Sequence, residues 1–172
     1  EAKEIKKIQG VKEVYPNYLR KLFLQESVPL INADDVWNMQ DSQGQKITGK
    51  GVKIAILDTG VDYTHPDLGG CFGAGCKVVG GYDFSGNDFV KGYTEEEILS
   101  KIVPDNDPAD YHGHGTHVAS TAAGKNYDGA GLNGVAPDAQ IYAYKVFPNS
   151  YSFIIIQAIE RALDPNQDEN YD

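Results

Sequence analysis

The sequence predicts an α/β domain with a mostly parallel sheet. Three observations carry that prediction. Short apolar runs recur far apart, as "KIAIL" and "AQIYAYKVF". Segments of helical length and pattern lie between and after them, as "HVASTAAGK" and "SFIIIQAIERAL". Strands alternating with helices in this way build parallel sheets, because a parallel connection needs a crossover. The third is a carboxylate and a glycine directly after the first run, in "AILDTG". Open α/β sheets keep their functional groups at such strand ends.

Taken in order, residues 1–24 mix charge with spaced apolar residues, and "VKEVYPN" alternates like a short strand that stops at Pro16. Pro29 is expected to break any earlier element. Asn32 is placed to cap a short helix carrying Val36, Trp37 and Met39. "DSQGQKITGKG" is a polar, glycine-containing loop. Val52 to Leu57 is apolar except for Lys53, the pattern of a strand buried on both faces. "KVVGGYDFSG" is a second strand candidate. "TEEEILSKI" reads as a helix opened by a capping box of Thr94 and Glu97. A helix ending at Gly124, a buried strand over "AQIYAYKVF" and a helix over "SFIIIQAIERAL" complete the pattern, ahead of a polar tail. A boundary near 24–29 separates the leading segment from the rest.

The chain has 172 residues, the size of one ordinary domain, and 41% are hydrophobic. That length and composition suit a packed core. Lys and Arg number 15 against 25 Asp and Glu, a net charge of −10. This acidity argues against nucleic acid or an anionic membrane as the main partner. No apolar run reaches transmembrane length. These residues start at Glu1 and show no signal-peptide pattern; a targeting signal upstream of them is compatible with that start, so the compartment stays open. Cys71 and Cys76 lie in the glycine-rich "GGCFGAGCK", where a tight loop brings two sulfurs together. A disulfide there suits an oxidising compartment; two reduced thiols are the alternative, and two cysteines alone do not complete a zinc site.

The chemistry concentrates in "HGHGTHVAS", with His112, His114 and His117 in six positions. Asp58 stands at the end of the first apolar run, as a functional carboxylate or a turn cap. His114, between two glycines at a helix start, is expected to stay neutral there because the dipole disfavours imidazolium. A neutral imidazole acts as a general base once a carboxylate fixes its tautomer, and Asp58 is a candidate for that carboxylate. The spacing H-x-H-x-x-H also resembles that of metallo-β-lactamase-fold hydrolases. Those usually carry Asp before the third histidine, where this chain has Thr116.

"IAILDTGVDYTHPDL", "HGHGTHVAS" and "NGVAPDAQIYAYKVF" together resemble the subtilases, the subtilisin-like serine proteases, over about residues 27–165. The resemblance implies a three-layer subtilisin-like fold and a serine endopeptidase working through an Asp-His-Ser triad on protein or peptide substrates. It makes Asp58 the orienting carboxylate and His114 the general base. His117 becomes structural and His112 a loop residue at the cleft rim. No cofactor is implied for the chemistry. Asp67 matches a calcium-binding aspartate of the family, with "GKNYDGAGLNG" where further ligands would lie. Ile155, near the start of the last helix, would border the cleft.

The pattern also departs from the family's. A serine motif like Gly-Thr-Ser-Met-Ala is absent, and Ser120, six residues after His114 on one helix, faces elsewhere. The expectation is therefore an incomplete fold: the N-terminal part of a catalytic domain over 27–172, inert alone. Residues 1–26 resemble the end of an inhibitory propeptide, an intramolecular partner cut off near 24–28. The insert before His114 and the cysteine loop point to the larger secreted, minor extracellular type. A catalytically inactive binding module is the runner-up, and a His-cluster metal hydrolase follows it.

Overall fold

The computed structural model describes residues 24–86, 94–127, 129 and 132–168. The predicted strand in "VKEVYPN" and the leading part of the predicted propeptide segment lie outside them. Helices α1 (Leu24–Leu30) and α2 (Ala33–Val36) come first. They are followed by β1 (Lys53–Asp58), a 3-10 turn (Pro66–Leu68), β2 (Val78–Asp83) and α3 (Glu95–Lys101). Helix α4 (His114–Ala123), strand β3 (Gln140–Lys145) and helix α5 (Ser152–Leu163) complete the order.

The three strands form one parallel sheet in the order β1-β3-β2. Strand β3 runs down the middle, and its side chains alternate between two layers. Ile141 and Ala143 join Ile56, Val78, Ala119 and Ala123 in a core under α4. Tyr144 packs with Ile154 and Ala158 of α5 on the opposite face, joined by Tyr142. Helices thus cover both faces of the sheet, the layering of an α/β fold.

Among the described residues two-sided burial is most complete on β3; β1, where the apolar run also predicted it, buries Ile56 on one face and packs the half-buried Leu57 on the other. Strand β1 is an edge of the described sheet, with Ala55 exposed while Ile56 is buried. Its even-numbered residues face α4, so Asp58 points to that side with Ile56. Register places Asp58 beside Lys145, and Lys145 beside Asp83, so three strand ends form one charged row.

Local chemistry sets the other boundaries. Thr94 and Glu97 form the predicted capping box, with Thr94 N donating to Glu97 Oε2 at 2.7 Å. Pro29 does not break the chain before it; α1 runs through Pro29 and ends one residue later. Asn32 precedes α2, but its φ of 56° is left-handed and its side chain makes no cap bond. The predicted cap is therefore a backbone turn, and α2 stops before Trp37. Trp37 Nε1 donates to Val135 O at 2.9 Å and ties this segment to the loop before β3.

Candidate active site

The sheet and α4 meet at the strand ends. Helix α4 begins at His114, after Gly113 turns the chain with φ of 95°. Gly115, next along, packs against the backbone of Gly60 and Thr59, where no side chain fits. That contact brings the helix start down onto the end of β1. His114 Nδ1 and Asp58 Oδ1 lie 2.7 Å apart, although 56 residues separate them in the chain. Asp58 Oδ1 also accepts from Thr59 N at 2.7 Å. The Asp58 side chain is 13% exposed and that of His114 is 62% exposed.

With Nδ1 donating to the carboxylate, Nε2 is left as the nitrogen that can take a proton. The hydrogen bond to Asp58 and that carboxylate's charge hold His114 above the ordinary imidazole range; a slight burial opposes them and Asp110 adds to them. This direction is opposite to the one the helix dipole alone predicts, and its largest cause is the bond to Asp58. The pair opens into a cavity of about 470 Å³ lined by Asp58, Thr59, His112, His114, Phe147 and Pro148. The Phe147–Pro148 peptide is cis. His112 lines this cavity, and no serine is among these lining residues.

The other predicted residues lie elsewhere. Asp67, His117 and Ser120 line a separate cavity of about 300 Å³ with His65 and Leu132. His117 is exposed. Ser120 shares His114's helix but not its cavity. Calcium requires six to eight oxygen ligands. Asp67 is the one carboxylate among the described lining residues of that second cavity, and residues 128, 130 and 131 of the adjoining loop lie outside the description. Among the described residues, no three His, Cys, Asp or Glu side chains gather to hold a metal ion. Cys71 and Cys76 are disulfide-bonded, with Cα atoms 5.6 Å apart. Ile155 is exposed on α5 and does not line the Asp58–His114 cavity.

Sequence reasoning passed over Asp110. Its carboxylate takes bonds from His112 N at 2.8 Å, Gly113 N at 2.9 Å and Thr116 N at 2.9 Å. Its signal was present: an aspartate two and three residues ahead of free N–H groups, just before a helix whose own N-cap is glycine.

Residues 49–170 match the Subtilase family. The "Minor extracellular protease Vpr" of Bacillus subtilis is 36% identical over 191 residues, covering 97% of this chain and 21% of that protein. The "Major intracellular serine protease" of the same organism is 37% identical over 123 residues, covering 72% of this chain and 30% of that protein. Among solved structures, "Sphericase" superposes with a TM-score of 0.52 at 37% identity, covering 77% of this chain and 38% of that one. The chain therefore spans well under half the length of these relatives. Extracellular and intracellular proteases both appear among them, so similarity does not distinguish the two types.

Proposed function

The chain belongs to the subtilase family, and on that premise we propose that it carries two of the three catalytic groups of a serine endopeptidase. Asp58 is the orienting carboxylate and His114 the general base. The contact that supports this reading most is the 2.7 Å approach of His114 Nδ1 to Asp58 Oδ1 at the mouth of a cavity. In the reaction, a serine hydroxyl attacks the scissile carbonyl while His114 Nε2 takes its proton. Asp58 holds the imidazole in the required tautomer and stabilises the imidazolium. His114 then returns the proton to the leaving amine. The nucleophile comes from sequence outside these 172 residues, so this chain alone is inert.

The same reading makes residues 27–172 the N-terminal part of the catalytic domain and 1–26 the end of its inhibitory propeptide. The reading extends to a secreted protease of proteins or peptides, supported by the Cys71–Cys76 disulfide, which suits an oxidising compartment. Calcium at Asp67 belongs to this reading as a structural ion, outside the chemistry. No helix among the described residues is long and apolar enough to cross a membrane. A metal-hydrolase reading finds no support in the histidines, two of which line the Asp58 cavity while the third lines another.

The test is labelling by a fluorophosphonate probe. Full-length protein should be labelled, and H114A in the same background should not. The 172-residue chain should take no label. Labelling and inhibitor-sensitive peptide cleavage by that chain alone would overturn the assignment of the nucleophile. An unlabelled, matured full-length protein would overturn the enzyme reading.

A further inference from the structure

We propose that Asp110 is a positioning residue that holds the Asp58–His114 pair together, an inference that rests on the general-base reading of His114. The problem it solves is geometric. Asp58 ends a strand and His114 starts a helix, so only non-covalent ties fix the distance between them. Asp110 supplies ties to both sides.

On the strand side, Asp110 Oδ1 accepts from Thr59 Oγ1 at 3.0 Å. Thr59 directly follows Asp58, and its own N–H donates to Asp58 Oδ1. On the helix side, the same Oδ1 accepts from the N–H groups of His112 and Gly113. Oδ2 accepts from the N–H and the hydroxyl of Thr116. His114 lies between Gly113 and Thr116, so its backbone is pinned on both flanks. Thr59 Oγ1 closes the ring by accepting from Gly115 N at 2.9 Å. The first N–H groups of a helix lack internal partners. Gly113 has no side chain to serve them, and Asp110 does so from outside the helix.

Charge acts in the same direction. Burial pushes the Asp110 carboxyl up, but its bonds from Thr116, Gly113 and His112 together hold it below the usual range. It therefore stays ionised at the positive end of α4. Its negative charge also raises the proton affinity of His114. Asp110 is not among the residues lining the Asp58–His114 cavity. It acts through Thr59, Thr116 and the field at the imidazole.

The experiment uses full-length protein carrying D110N, T59V or T59S. It measures the pH profile of kcat/KM on a peptide substrate, and the His114 titration by NMR with labelled histidine. D110N should lower kcat by about ten- to a hundredfold with KM within about twofold. The acid limb of its profile should move to lower pH together with the His114 midpoint, because a neighbouring negative charge is gone. T59V removes both bonds of Thr59 Oγ1, the one to Asp110 and the one from Gly115 N, and keeps the charge. It should lower kcat by about tenfold with the limb in place, and T59S should restore the rate.

D110N with an unmoved His114 midpoint and native kcat would overturn the proposal. So would a loss explained wholly by fewer active molecules with the limb unmoved, since that marks a merely structural role. If D110N does not fold, T59V decides: native kcat there refutes the tether. A full-length protein without serine-type turnover would instead refute the functional reading, and the His114 midpoint in D110N would still decide the role of Asp110.

Discussion

Replacing Gly115 with alanine sets two physical effects against each other, and the structure decides between them. Alanine is the better helix former, and at an exposed helical site the change stabilises by about 1 kcal/mol. Gly115 is buried, however, and faces the end of β1. A methyl group built there collides with Gly60 O and sits 3.1 Å from both Asp58 Cβ and Thr59 N. Carbon–oxygen contacts of this kind settle near about 3.3–3.6 Å. The obstructing oxygen belongs to the backbone and cannot rotate aside. The start of α4 must therefore retreat by about 1 Å, at an overpacking cost of about 1–3 kcal/mol. The same retreat stretches the 2.7 Å Asp58–His114 bond beyond about 3.2 Å, the outer edge of useful hydrogen bonding. A misplacement of that size lowers turnover by about a hundredfold. The assay is kcat of the full-length protein on a peptide substrate, normalised by active-site titration, with urea unfolding in parallel. G115A with native kcat and increased stability would refute the close-approach argument.

His114 is held above the ordinary imidazole range, so kcat/KM should rise with pH through that elevated value, since the base works when neutral. The stability it contributes runs the other way: full below about pH 6.5 and lost as pH rises through the folded value. In the full-length protein, D58N should move the acid limb of the kcat/KM profile to lower pH and reduce kcat on the order of 10⁴-fold; an unmoved limb would count against the pairing. Lys145, 3% exposed, pairs at 3.3 Å with the fully buried Asp83, whose carboxyl is pushed up mainly by burial. K145M should cost about 3–5 kcal/mol in denaturant titration, and adding D83N should recover part of it; strict additivity would rule out the coupling. The Cys71–Cys76 bridge spans five positions, so replacing both cysteines with serine should cost only about 2 kcal/mol, and a loss above about 4 kcal/mol in thermal melts would show a larger role.

Element type was largely legible in the residue pattern. Apolar runs and capping residues are local signals, which is why "AQIYAYKVF", the Thr94–Glu97 box and the helix over 152–163 could be read without coordinates. Motif residues were legible for a related reason: "DTG" after a strand and "GHGTH" at a helix start constrain backbone as well as chemistry. The parts that escaped are non-local. Strand β1 looks buried on both faces from its own composition, and which neighbour it pairs with, β3 among the described residues, is set by packing and not by its own sequence. Asn32 has the right side chain for a cap, and a left-handed backbone set by its surroundings denies it that use.

Local pattern therefore determined the α/β class, the order of elements and the identity of Asp58 and His114 as candidates. Tertiary structure decided that they meet. The parity of β1 aims Asp58 toward α4, the missing side chain of Gly115 lets the helix descend, and Asp110 ties helix to strand. It also separated His117 from His112 and His114, which the sequence presents as one cluster. The physical reason is the same throughout. Helical and strand periodicities act over a few residues, whereas a 2.7 Å contact across 56 residues depends on how the layers pack.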